Sequence, residues 1–374
     1  MLKRITSYFV NWVDGMRITK DDFIAQDHAV KDHLRDVTAL TLSDAHFGLL
    51  EPAQMEVEGD TVRLVTCRAV CRDGSRIELL ASQEQQVSCD LHTWLQGPYE
   101  GKGFYLVAMV HPDQPIGHGP WEGEPPRQLR IAPRVSLEVV ATEKFNQSAL
   151  MSAMLPIGKF VTSQGRPERS KEYVPPALFI APFPGLEALR RDLSSTLDLI
   201  GQGSTRVLDK LYGRHRELQY MFPNHCYIHW GQHSLLACTR IRAQLAIGMD
   251  RPMDLVRATI ELALGIESVL GTVRDRRDLM KHVEGIGNWA SLIRAMDQAG
   301  KELAQMDHVH WDMAGSLAAA SRFLAYARDV YGQLGELERF EVVQREVAPN
   351  VESAPLIPLP KPPKPPVPPV EWER

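Results

Sequence analysis

Apolar positions along the chain change their period near residue 184. From about 184 to 345 they return every three or four residues, the signature of helices with one buried stripe. Leu186, Leu189, Leu193, Leu197, Ile200, Ser204, Val207 and Leu211 form a seven-residue repeat whose one polar position is Ser204. That repeat predicts a helix packed at a shallow angle on its neighbours. Further helices are expected over Ile228 to Ile247, from a start at Asp250 as cap with Pro252 in the first turn, over Asp275 to Met306, and over Trp311 to Glu346. In the helix after Pro252, Leu255, Ala258, Leu262 and Ile266 line one side. Four or more long helices with short links argue for a bundle.

Residues 1–183 read differently. Short apolar runs are cut by Gly, Pro and Asp turns. Met55 to Glu58 and Thr61 to Cys71 flank Glu58-Gly59-Asp60, a hairpin signal, and Arg72-Asp73-Gly74-Ser75 turns the chain into Arg76 to Leu80. In the longer strand Val62, Leu64, Thr66 and Arg68 share one face, and Arg63, Val65, Cys67, Ala69 and Cys71 the other. Neither face is polar throughout, which predicts burial on both sides. Gly103 to Val110, Leu129 to Val140, Met151 to Val161 and Val174 to Ile180 are further strand candidates, with a helix over Lys20 to Thr38 capped by Thr19. Strands of this length suggest a β-sandwich or partial barrel.

The expected organisation is therefore α+β and multidomain: a β-rich domain over 1–183, a helical bundle over 184–346 and a disordered, extended Pro-rich tail over 347–374. Ten of the 26 prolines fall in 349–374, where neither helix nor ladder can form. Pro362, Pro363, Pro365, Pro366, Pro368 and Pro369 with Trp372 make that tail a candidate ligand for a partner's aromatic groove. The opposing reading is a tail whose tryptophan has no role.

Charge and chemistry narrow the function. With 42 basic and 47 acidic side chains there is no overall field to attract nucleic acid. No apolar run reaches the ~18 residues of a membrane span, and the polar Thr6, Ser7, Asn11 and Asp14 argue against a signal peptide. Five cysteines suit a reduced, cytoplasmic protein. Phosphate loops, nucleophile elbows and zinc-protease motifs are absent. Cys67 and Cys71 lack a second pair and read as core residues. His28 and His33 read as local polar contacts, and His111 and His118, with Glu122, Glu124 and Arg127, as members of an exposed loop. His308 and His310, beside Asp307 and Asp312, read as capping or linker groups between two helices. No catalytic group, metal site or cofactor is expected. An enzyme with a site assembled from distant β-domain residues is the remaining catalytic alternative.

Several segments in order resemble the TssK family of type VI secretion baseplates. They are Trp12-Val13-Asp14-Gly15-Met16 followed by Asp22-Phe23-Ile24-Ala25-Gln26-Asp27, then Phe47-Gly48-Leu49, the hairpin Gly59 to Leu79 with Ala69-Val70-Cys71-Arg72-Asp73-Gly74, the pair Leu155-Pro156-Ile157-Gly158 and Tyr173-Val174-Pro175-Pro176-Ala177-Leu178, and Asp250-Arg251-Pro252-Met253-Asp254-Leu255. The chain departs from the family at Lys20-Asp21-Asp22, where Pro-Gln-His is usual, and its hairpin lacks the family's proline. The resemblance implies a homotrimeric structural subunit with a β shoulder that docks on TssF/TssG-type wedge proteins, a helical neck and a C-terminal head that meets the membrane complex. After the fifth helix only the proline tail remains, so a short form is expected, anchored by its tail to the membrane-anchoring complex at the inner face of the inner membrane. A phage-type receptor-binding or tail adaptor protein is the alternative, because the shoulder is similar to that of such proteins. Trp12, Met16, Phe23 and Phe47 are candidate shoulder contacts, each with core packing as its competing role. Leu193, Leu197, Ile200, Val207 and Leu211 are the expected bundle or trimer seam.

Overall fold

A computed structural model describes residues 5–81, 87–92, 103–124, 126–145, 153–163 and 166–337. The Pro-rich tail lies outside them. Helix α1, Lys20–Thr41, opens the fold and starts at the expected cap: the Thr19 N–H and hydroxyl both donate to the Asp22 carboxylate, at 2.7 and 2.8 Å. Two antiparallel sheets follow. The first is built around β3, Thr61–Val70, with β1 (Gly48–Leu49) and β4 (Arg76–Leu79) on its second half, and β2 (Gln54–Glu58) and β5 (Val87–Asp90) on its first. The second runs in the order β7 (Arg127–Ala141), β6 (Gly103–Glu122), β8 (Met154–Ser163) and β9 (Arg166–Arg169). The sheets curl as a half-barrel.

Two strands depart from expectation for physical reasons. The partner of Gln54 is Thr66 but that of Met55 is Leu64, so Val65 is an extra residue in β3. This bulge reverses the in-and-out alternation. Val62 and Leu64 point to the core before it, and Cys67, Ala69 and Cys71 after it. One side of the strand is therefore buried throughout, in place of the expected burial on both sides. The segment from His111 to Glu122, expected as a loop, continues β6 as a ribbon paired with β7 alone; its prolines at 112, 115 and 120 stand in or beside two register shifts, where a missing N–H is tolerated.

The helical part comprises α2 (Pro184–Tyr212), α3 (Arg216–Gln219), α4 (Asn224–Ile247), α5 (Pro252–Thr272), α6 (Arg276–Glu284), α7 (Trp289–Gln305) and α8 (Ala314–Glu336). The expected helix from 275 to 306 is two, because the chain turns through Gly285 to Asn288 with Gly287 at φ +52°. The cap before Pro252 is Arg251, not Asp250, whose carbonyl instead accepts the Ile180 N–H at 2.8 Å. Leu193, Leu197, Ile200, Val207 and Leu211 are all fully enclosed in the bundle. So is Ser204, whose hydroxyl has no partner among the described residues. At the centre the indoles of Trp230 and Trp289 stack at 5.4 Å. Each N–H is satisfied, by the Tyr331 hydroxyl at 3.1 Å and the Val330 carbonyl at 3.0 Å.

The segment 174–180, expected as a strand, is mostly irregular. Pro175 and Pro176 remove two ladder donors, and only Ala177 bridges to Leu49. Gly48 makes this approach possible. At φ +129° its Cα comes so close that a Cβ would stand 2.3 Å from the Pro176 carbonyl oxygen. One continuous apolar core runs from the sheets through this segment into the bundle.

Candidate partner-binding surface and the joint behind it

Helix α1 buries one side and leaves the other bare. Ala29 is enclosed, and the backbone at Arg35 lies against the 71–75 turn, where a Cβ on Gly74 would sit 2.9 Å from the Arg35 carbonyl. Phe23, Val30, Leu34 and Val37 are spaced seven, four and three, so they form one stripe on the opposite side. Phe23 is 63 % exposed and Leu34 61 %, and Leu40, beside the stripe, is 70 % exposed.

The preceding arm is strapped to the flank of this helix. Backbone N–H groups of Thr6 and Ser7 donate to the Asp32 carboxylate at 3.3 and 3.1 Å, and that of Val10 to the Gln26 amide oxygen at 3.1 Å. Phe9 stacks on His33 at 4.9 Å, and Trp12 meets Phe23 at 6.1 Å. Desolvation pushes the Asp32 carboxyl up, but the donors from Thr6 and Ser7, with the Arg35 guanidinium, outweigh it and hold the group below the usual carboxylate range. The arm also exposes Tyr8, Phe9, Trp12 and Val13, and Trp12 joins it to the stripe at Phe23. Scattered exposed apolar side chains mean nothing by themselves, whereas a contiguous patch marks an interaction surface.

Of the sequence-derived contact candidates, Trp12 and Phe23 lie together on this surface and Met16 is half-buried at its margin. Phe47 is fully enclosed and offers no surface. Pro362 to Trp372 lie outside the described residues. Val30, Leu34 and Val37 escaped sequence reading, although their helical spacing was present in the segment.

Phe47 belongs to a joint between sheets and bundle. The loop between α7 and α8 reaches into the β part, and His310 Nε2 donates to the Phe47 carbonyl at 2.7 Å while its ring meets the Phe47 ring edge-on. This bond fixes the Nε2–H tautomer and leaves a buried Nδ1 with no partner among the described residues. Burial drives the His310 pKa down to about 4, against the smaller opposing effect of the Phe47 bond. The Asp312 carboxylate accepts from the Tyr105 hydroxyl at 3.0 Å and from Lys159 at 2.8 Å. The Tyr173 hydroxyl lies 3.2 and 2.9 Å from the carbonyl oxygens of Pro156 and Trp311. Desolvation, aided by the Asp312 charge, raises both tyrosines above their ordinary range. This is why α8 begins at Ala314 and not at Trp311: residues 310–312 are held by the β part. His308, by contrast, stays between helices, with Ser316 and the Leu303 carbonyl as partners at 2.9 and 2.8 Å.

Among the described residues no three His, Cys, Asp or Glu side chains gather as a metal site. Cys67 and Cys71 are core residues, and burial pushes the Cys67 thiol up to about 12. No helix among the described residues is long and apolar enough to cross a membrane. No family model and no curated protein matches the chain. Solved structures do. A crystal structure of TssK superposes with a TM-score of 0.51 over 86 % of this chain and 69 % of that one, at 12 % identity. The fold is that of TssK. TssK from the type VI system of EAEC, bound to a nanobody, has a TM-score of 0.49 at 16 % identity, over 83 % of this chain and 99 % of that one. A chain of the TssK-TssF-TssG baseplate subcomplex, solved by cryo-electron microscopy, has 0.49 at 15 %, over 86 % and 99 %.

Proposed function

We propose that the chain is a non-catalytic structural subunit of a type VI secretion baseplate. It works as a homotrimeric adaptor at the cytoplasmic side of the inner membrane. Residues 1–183 form its shoulder, residues 184–346 its neck, and the tail 347–374 its link to the membrane-anchoring complex. The observation that carries the reading is the apolar surface of the arm and α1, set on a fold shared with TssK. The occupant of that surface is a wedge protein of the TssF/TssG type.

The seam residues of α2 are consumed within the chain's own bundle, so association of three copies uses other faces of the neck. The test is co-purification with the wedge proteins of the same organism. The unaltered chain retains them, Phe23→Asp with Leu34→Asp loses them at unchanged thermal stability, and removal of residues 347–374 does not matter. Retention by the doubly substituted chain sinks the proposed surface. Light scattering gives three times the chain mass; a monomer at working concentration overturns the adaptor reading.

A further inference from the structure

A cavity of about 220 Å³ opens between α4, α5, α6 and α7. Its floor is apolar, made by Trp230, Leu270, Leu279 and Ile293, each nearly fully enclosed. Arg276 and Arg294 stand at its rim. Arg294 pairs with Glu284, while Arg276 has no ion-pair partner among the described residues. The wall carries Asp297. One of its carboxylate oxygens binds Lys301 at 2.8 Å, and the other, Oδ1, is buried and accepts nothing among the described residues. A buried acceptor of this kind is costly until a donor reaches it.

These features specify an occupant. The volume is below the range of roughly 300–1,000 Å³ usual for small-molecule sites, so it suits one large side chain better than a cofactor. The side chain has to be apolar and bring a hydrogen-bond donor without an acceptor of its own. The tryptophan indole meets both conditions. Acidic neighbours suit the arginine rim. The chain itself holds that combination at Glu371-Trp372-Glu373. The last described residue, Leu337, follows α8 directly; α8 packs on Trp230 of the cavity floor through Tyr331, and its last residues lie against α2, where Lys210 donates to the Gly335 and Leu337 carbonyls at 3.0 and 2.8 Å. Trp372 stands 35 residues beyond Leu337. Proline-rich chain reaches ~3.1 Å per residue, so distance does not limit the return.

We propose that Trp372 docks into this cavity in its own chain. Its indole N–H turns toward the Asp297 carboxylate in the cavity wall, and Glu371 and Glu373 meet Arg276 and Arg294 at the rim. Trp372 held there is withheld from any other protein, so cavity and partner compete for one side chain. The proposal does not depend on the baseplate reading.

The test uses the full chain, its Trp372→Ala variant and a fluorescent peptide of residues 366–374. The peptide binds the variant at least about tenfold more tightly than the unaltered chain, because the tethered tail competes at high effective concentration. Arg276→Glu in the variant background weakens capture several-fold. Equal binding to both chains, no binding to the variant, or indifference to Arg276→Glu each overturns the assignment. Amide exchange over 276–284 and 290–297 is slower in the unaltered chain than in the variant at every protein concentration. Equal exchange refutes docking, and protection that fades on dilution places the tail in a second copy, against the proposal.

Discussion

His310 shows how one buried side chain ties stability to pH. Its ordinary pKa is 6.5 and its value here is about 4. Between those limits the unfolded chain takes up a proton that the folded chain refuses. Stability from this group is therefore complete above pH 6.5 and is lost as pH falls through 4, up to on the order of 3 kcal/mol. Urea midpoints compared at pH 7 and 4.5 are expected to fall less in His310→Gln, which keeps an N–H for the Phe47 carbonyl but does not titrate. Two glycines give a second pair of measurements. A Cβ on Gly203 would stand 2.4 Å from the Tyr331 carbonyl oxygen, so Gly203→Ala forces two helices apart and costs about 1–3 kcal/mol. A Cβ on Gly332, inside α8, would meet nothing within 4 Å. Gly332→Ala is expected to stabilise by about 0.5–1 kcal/mol by thermal denaturation.

At the scale of elements, α1 and α2 carry similar apolar spacings with opposite fates. The α2 stripe is buried, so Leu197→Ala is expected to cost about 2–5 kcal/mol in chemical denaturation. The α1 stripe faces outward, and Leu34→Ala is expected to change stability by less than about 0.5 kcal/mol. Spacing reveals a stripe but not whether the same chain covers it. That is why the helix at 20–41 was legible with its cap, while its role as a surface was not. The same limit governs β3: alternation was readable on both sides of Val65, but the bulge that joins the two phases depends on pairing with Gln54 and Met55. The helices of the bundle were legible because their repeats are long. The break at Gly287 was not, since a glycine inside a helical pattern is tolerated as often as it ends one. Phe47 was singled out as part of Phe47-Gly48-Leu49 and as a shoulder contact, whereas its hydrogen-bond partner His310 lies 263 residues away.

Across the whole molecule, the joint makes sheets and bundle one energetic unit. The loop before α8 gives the β part a histidine, a carboxylate and a backbone carbonyl, all within hydrogen-bond distance. Asp312→Ala strands Lys159 and the Tyr105 hydroxyl, and about 1–3 kcal/mol is expected to be lost. Calorimetry of the unaltered chain should give one transition, because the apolar core is continuous; two separated transitions would refute the coupling. Low-identity similarity to TssK fits this picture, since a fold is kept by its pattern of enclosed positions more than by the residues that fill them.

The same loop sets the order in which the protein can mature. A ribosome releases the sheets early, yet the residues that close them, His310 to Asp312, are made more than 140 residues after β9. Until then the nascent β half keeps the Phe47 carbonyl and the Tyr105 hydroxyl without their final partners, and the Tyr173 hydroxyl with the Pro156 carbonyl alone. Translation products that stop short of residue 310 lack these hydrogen bonds and are expected to be cut faster by added protease than the full chain.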